Sequence, residues 1–225
     1  MRSPVQTTYD DLPSELPIFP LSGALLLPWG RLPLNIFEPR HLNMTLDSLR
    51  SGRLIGMIQP DVDKAKIQSD TQKPEPAIYN VGCAGRVTSF EETEDGRLLI
   101  VLRGLIRFRV EQEIEGRLGY RRVRPRYEPF KSDLDAPAGV KFDRTMILAH
   151  LKPYLEAQHV PISADVIKGL SDATLVNSLC MICPFDPREK QALLECADID
   201  ARAETLAKLL QMGMFDTGGS ETPPQ

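Results

Sequence analysis

Between Leu16 and Phe37 the chain reads LPIFPLSGALLLPWGRLPLNIF, apolar blocks punctuated by prolines that cannot sit inside a helix. The pattern predicts short strands and tight turns. Pro39 then fits the first position of a helix that carries Leu42, Leu46 and Leu49 at helical spacing, with Gly52 as its C-terminal cap. Leu54 to Ile58 and Val81 to Phe90 read as strands, the second with bends or bulges at Gly82 and Gly85; the long hydrophilic stretch 59–76 between them is a mobile or functional loop. A polar turn about Asp95-Gly96 leads into a returning strand, Leu98 to Leu102. Beyond it Ile106, Phe108 and Val110 alternate with Leu105, Arg107 and Arg109, the period of a sheet with one buried face, and Tyr120 to Tyr127 continues with Arg122, Arg124 and Arg126 on one side. A closed or nearly closed small barrel is the economical way to hide so many short edges.

After Pro129 the pattern changes to helical. Met146, Ile147, Leu151 and Leu155 mark one helix, which Pro153 must kink or break. Ser171 caps a segment carrying Leu175, Leu179 and Ile182, which Pro184 ends. Asp186, Pro187 and Glu189 make a helix start, with Leu193, Leu194 and Ala197 facing inward. A last helix from Asp198 to Met214 has Leu206, Leu209 and Leu210 as its stripe. Strands first and helices afterwards predict an α+β protein: a flexible N-terminus (1–15), a strand-rich subdomain with one short helix (16–130), a linker (131–140), a helical subdomain (141–215) and a disordered tail (216–225).

Composition narrows the function classes. The chain has 225 residues, 42% of them apolar, enough for one large or two modest cores. The opening MRSPVQTTYDDLPSEL lacks the basic flank and apolar core of a secretory signal, and no apolar run approaches the roughly 20 residues that span a bilayer. We therefore expect a cytoplasmic protein without membrane contact, its four cysteines reduced. The net charge of −4 is uneven: the first 130 residues carry 18 basic and 17 acidic side chains, leaving 9 and 14 for the rest. Neither part has the positive excess of a nucleic-acid binder.

Several segments resemble the N-terminal substrate-binding domain of Lon proteases. The signature elements are Phe19-Pro20-Leu21, the turn Pro28-Trp29-Gly30, Leu32-Pro33-Leu34 and Phe37-Glu38-Pro39-Arg40; further on, Gly104-Leu105-Ile106-Arg107-Phe108 is similar to the family's G-x-x-RF strand and Glu189-Lys190-Gln191 with Leu193-Leu194-Glu195 to its EKQ-x-LLE helix. The resemblance implies a PUA-like small β-barrel followed by a helical bundle. It also implies a module that binds polypeptide and does no covalent chemistry itself. Trp29, the only tryptophan, departs from the family, which usually places glycine at that turn.

The residues offer little to oppose a non-enzymatic reading. There is no G-x-x-x-x-G-K-[ST] loop and no G-x-G-x-x-G turn, so neither phosphate cradle of a nucleotide-binding fold is present. Ser163 and Lys168 are a chance pair unless the lysine is buried and its pKa depressed. Cys180-Met181-Ile182-Cys183, with Cys196 and Cys83, is one short knuckle followed by isolated thiols, whereas structural zinc sites usually pair two knuckles. Packing as small apolar residues accounts for the cysteines, and His41, His150 and His159 have no ligand-like spacing, so we expect neither metal nor cofactor.

Binding is the remaining chemistry. The leading expectation is an apolar groove near the barrel–bundle junction that captures exposed hydrophobic segments of unfolded or tagged polypeptides, alone or beside a protease or chaperone, with Phe19, Leu21, Trp29 and Phe37 as contacts. Glu38, Pro39 and Arg40 are expected to organise a strand-to-helix corner, the two charged side chains bonding to backbone amides and carbonyls. A small-molecule-binding or regulatory domain is the second reading. The third is an RNA-binding PUA-like platform, if Arg107, Arg109, Arg122, Arg124 and Arg126 gather on one outward face; nearby glutamates, an aromatic content of 6% and the negative net charge weigh against it.

Overall fold

The structure, a computed structural model, describes residues 7–61, 76–136, 141–158 and 169–216. The expectations for the start of the chain, most of the 59–76 loop, the end of the linker, His159, Ser163, Lys168 and the C-terminal tail lie outside the described residues. The chain divides into two compact units, Met1–Ala136 and Pro137–Gln225.

Among its described residues the first unit is a mixed sheet of six strands, β1 (Leu16–Pro20), β2 (Arg31–Ile36), β3 (Leu54–Ile58), β4 (Val81–Glu92), β5 (Leu98–Arg117) and β6 (Tyr120–Arg126), with one α-helix, α1 (Pro39–Arg50). The strand order is β2-β5-β4-β3-β1-β6, and β5 also pairs with β6, so the ladder from β5 through β4, β3, β1 and β6 returns to β5. Among the described strands, only β1 and β3 pair in parallel. Leu16, Ile18, Ala84, Ile106, Phe108 and Val123 form the central cluster. The Phe108 ring packs close against Gly82 of β4: a Cβ there would come within 2.6 Å of both Phe108 Cζ and the Met57 carbonyl oxygen.

β5 is one strand of 20 residues where the sequence predicts two. Its first half pairs with β2 and its second with β6. A register shift opposite Ala84 and Gly85 bends it between these partners without interrupting the ladder to β4. The Asp95-Gly96 turn is present, with Gly96 at a φ of 78° and Thr93 bonded to the Asp95 carboxylate.

α1 starts at Pro39 as expected but buries a different face. His41, Met44, Thr45 and Ser48 point inward, and Leu46 is exposed. The hydroxyls are satisfied within the helix, Thr45 Oγ1 donating to the His41 carbonyl at 2.8 Å and Ser48 Oγ to that of Met44 at 2.7 Å, so these polar residues can be buried without an unmet hydrogen bond. Asp47 anchors the helix to the β5–β6 hairpin, accepting from the Tyr120 hydroxyl at 2.9 Å and pairing with Arg117 at 3.2 Å.

Among the described residues, one buried side-chain polar atom is unmatched. The Tyr127 hydroxyl has no hydrogen-bond partner, and burial raises its pKa well above that of a free phenol. Its ring meets Phe108 edge-on at 6.5 Å, a contact phenylalanine can keep. Tyr127→Phe is therefore expected to stabilise the protein by about 1 kcal/mol, read from the urea midpoint, because it removes only the unpaired group. A loss of stability would show that the hydroxyl has a partner in solution.

The second unit is helical among its described residues: α2 (Arg144–Ala157), α3 (Asp172–Ile182), α4 (Pro187–Glu195) and α5 (Ile199–Asp216). Ser171 caps α3 and Asp186 forms a reciprocal capping box with Glu189, both bonds at 2.8 Å, as their spacing predicts. α2 continues through Pro153. Ala197, expected to face inward, is exposed, as are Met146 and Ile182. Arg202 of α5 is buried instead, donating to the Leu193 carbonyl at 2.9 Å and to Asn177 Oδ1 at 3.1 Å, which ties α5 to both α4 and α3.

Candidate recognition face

β2, β5 and β4 extend past the point where β5 turns toward β6, and their two faces differ. In an antiparallel ladder, residues directly opposite one another project to the same side and alternate along the strand. Ile36, Leu98, Ile100 and Leu102 are buried on one side. The other side presents three rows: Asn35–Leu99–Glu91, Pro33–Val101–Ser89 and Arg31–Arg103–Arg86. Leu99 is 41% exposed, and a groove of about 460 Å³ runs across Pro33, Leu99 and Val101 with Phe90 at its margin. The exposed side thus carries an apolar centre and a basic end.

Two of the four expected contact residues flank this face. Phe37, next after β2, is 62% exposed, with the Arg97 guanidinium 5.9 Å from its ring centre. Trp29, two residues before β2, is 39% exposed. Its backbone has a φ of 67°, the left-handed region that favours glycine, which explains why glycine suits this turn. The indole is held on one edge: Nε1 donates to the Asp133 carbonyl at 2.9 Å, and Arg103 lies 5.1 Å over the ring. Phe19 and Leu21 sit elsewhere. Phe19 is buried against His41, ring centres 4.0 Å apart, and Leu21 is half-buried with its amide bonded to the Ile58 carbonyl at 3.0 Å.

The Glu38-Pro39-Arg40 corner is built differently from the expectation. Glu38 occupies the N-cap position of α1 and Pro39 the first turn, but the Glu38 side chain makes no cap bond to the backbone. It accepts from Arg40 at 3.0 Å. Its other oxygen stands 3.5 Å from His41 Nδ1, although burial, the dominant influence, holds that imidazole below its ordinary pKa. The two charged residues pair with each other because both are partly exposed and adjacent.

Of the five arginines of β5 and β6, four lie on one outward side of the β5–β6 ladder, Arg109 opposite Arg126 with Arg124 and Arg122 at alternate positions of β6, and Arg107 is the exception. Arg107 is buried at 3% exposure, its guanidinium and backbone amide bonded to Asp133 of the 3-10 turn Glu128–Leu134. Arg122 meets Glu15, Arg124 meets Gln112, and Arg126 lies 3.9 Å from Glu111. Cys180 and Cys183 lie in the core of the second unit; burial pushes the Cys180 thiol far above its usual range and that of Cys183 up to about 12, so both stay protonated. Among the described residues, no three His, Cys, Asp or Glu side chains are grouped to hold a metal ion, and no helix is long and apolar enough to cross a membrane.

A mixed sheet whose flank exposes an apolar and basic face, joined in sequence to a helical unit, defines the class as a two-part domain with a surface suited to binding. The chain belongs to the ATP-dependent protease La (LON) substrate-binding domain family, whose sequence model matches residues 15–212. Among its relatives, Lon protease 2 of Myxococcus xanthus is 25% identical over 218 residues, covering 93% of this chain and 25% of that protein. Lon protease 2 of Sorangium cellulosum is 27% identical over 204 residues, covering 87% of this chain and 24% of that protein. The chain thus spans about a quarter of these relatives' length, and no catalytic domain is evident within the matched region. The Lon N-terminal domain protein from Xanthomonas campestris has the same fold, with a TM-score of 0.56 at 23% identity over 86% of this chain and 97% of that one. The N-terminal domain of Mycobacterium avium complex Lon protease gives 0.57 at 15% identity, covering 88% and 98%.

The face itself was hidden in the sequence. Leu98 to Leu102 is apolar at every position, so alternation cannot say which side is buried. The signal lies in β2, where Arg31, Pro33 and Asn35 are all poor core residues spaced by two.

Proposed function

We propose that this chain is a non-catalytic polypeptide-recognition module that engages exposed hydrophobic segments of unfolded or tagged proteins. The membership of residues 15–212 in a substrate-binding family is the observation that carries this reading. The solvent-facing Leu99, with Trp29 and Phe37 exposed beyond the two ends of β2, supports it, because large exposed apolar side chains gain by being covered. In this reading the ring of strand pairings is the family's PUA-like barrel, the helices of the second unit are its bundle, and the protein acts in the cytoplasm beside a protease or chaperone, without ATP, metal or cofactor.

The contact set changes with the geometry. Trp29 and Phe37 remain as contacts; Phe19 and Leu21 contribute to packing. Arrays of peptides drawn from unfolded proteins should retain the full chain above background, with a preference for apolar sequences. Trp29→Ala should lower that retention at least about fivefold, as expected for an aromatic anchor. Background-level retention of all peptides, with no effect of the substitution, would refute the proposal.

A further inference from the structure

The Arg31–Arg103–Arg86 row is costly as it stands. Three guanidinium groups occupy directly opposed positions on adjacent antiparallel strands, an arrangement that repels across each pair. Among the described residues, none of the three has a carboxylate within ion-pair distance: Arg86 bonds to the Thr7 hydroxyl at 3.2 Å, and Arg103 lies over Trp29. This contrasts with Arg107, Arg117, Arg121, Arg122 and Arg126, each of which meets an aspartate or glutamate. In a chain of net charge −4, the row sets three such arginines directly opposite one another; Arg109 and Arg124, which also have no carboxylate within ion-pair distance among the described residues, lie instead beside Arg122 and Arg126, which do.

Resting on the polypeptide-binding function proposed above, we infer that this face selects extended segments in which apolar side chains are followed by carboxylates. The apolar rows centred on Val101 and Leu99 lie two and four residues from Arg103 on the same strand, about 7 and 13 Å along it. Side chains of an extended ligand repeat at the same interval on one face, so its apolar residues cover Leu99, Val101 and Pro33 while an acidic residue or chain terminus reaches the arginines. β2 lies at the end of the strand order, beside the groove, so the segment lies over the face with its end open to solvent. Nucleic acid fits less well, because the middle of the face presents apolar side chains where a phosphate strand would run, and the cations stand in one row at one end.

The test is fluorescence anisotropy on the full chain with three labelled decapeptides of alternating valine and threonine, ending in two glutamates, two glutamines or two lysines. The acidic probe should bind about tenfold tighter than the glutamine probe at moderate salt, and the lysine probe most weakly. The double variant R31E/R103E should erase the acidic preference and favour the lysine probe. Both positions are exposed, so the fold should survive, which circular dichroism checks. Equal binding of all three peptides would overturn this selectivity while leaving hydrophobic recognition intact; absence of binding to any of them would overturn both. A single-stranded oligonucleotide that displaces the acidic probe and loses affinity in the variant would reassign the row to nucleic acid.

Discussion

Asp133→Ala is expected to destabilise the sheet unit by about 3–5 kcal/mol, the largest loss foreseen for any single side chain in this protein. Asp133 holds Arg107 by its Nε and by a terminal nitrogen, both at 2.9 Å, and also accepts from the Arg107 backbone amide at 3.0 Å. Both side chains are almost completely removed from water, at 3% and 9% exposure, and the Phe130 ring lies 4.7 Å from the guanidinium. Truncation leaves a buried cation without the carboxylate that neutralises it, so the cost is the desolvation of that charge and not the modest net value of an exposed ion pair. Asp133→Asn should lose less, since it keeps an acceptor. The double variant Arg107→Met, Asp133→Leu should recover most of the loss, because removing both charges also removes the desolvation cost.

The readout is built into the chain. Trp29 is the only tryptophan, and its indole donates to the Asp133 backbone carbonyl at 2.9 Å. Urea titration followed by tryptophan emission reports loosening of the turn, and far-UV circular dichroism reports the sheet. A shift in emission before the loss of sheet signal would mean that the 3-10 turn opens locally and frees the recognition face at the Trp29 end. A stability loss below about 1 kcal/mol would show that the pair is hydrated in solution and worth no more than a surface contact.

What the sequence disclosed and what it hid follow from how local each interaction is. The Asp186–Glu189 box and the Asp95-Gly96 turn are closed by residues two or three positions apart, so spacing alone identifies them. Arg107 is closed by a residue 26 positions away, and nothing near it announces that a charged residue will be buried. The inner face of α1 misleads for another reason: Thr45 and Ser48 bury hydroxyls that bond within the helix, while the more apolar Leu46 faces solvent. The signature at Phe37-Glu38-Pro39-Arg40 marks the α1 corner correctly but distributes its side chains unexpectedly, with Phe37 outward and Glu38 bound to Arg40. The recognition face needs the register of β2 on β5 and β4, which no periodicity in a single strand encodes. Only there do arginines 31, 86 and 103, far apart in the chain, fall in one row.

Gly104→Ala is expected to cost about 3 kcal/mol and to weaken peptide binding as well, because this residue couples the core to the face. A Cβ built at Gly104 would stand 2.0 Å from the Leu27 carbonyl oxygen and 2.8 Å from the Leu27 carbonyl carbon. The obstructing atoms belong to the backbone, so no rotamer change relieves the overlap; the Leu25-Leu26-Leu27 segment, fully buried, would have to move. The same segment leads directly into Trp29. Two backbone bonds clamp it to β5, the Trp29 amide donating to the Gly104 carbonyl and the Gly104 amide to the Gly30 carbonyl, both at 2.9 Å. Displacing Leu27 strains both bonds and carries Trp29 away from Arg103. The substitution therefore separates two roles that Trp29→Ala merges: the indole is still present but no longer positioned. Calorimetry should show a lowered melting temperature, and peptide anisotropy below that temperature should show weakened binding. If the variant melts lower yet binds apolar peptides as well as the parent, the Trp29 turn does not position the ligand, and the recognition surface lies toward Phe37 and Leu99 instead.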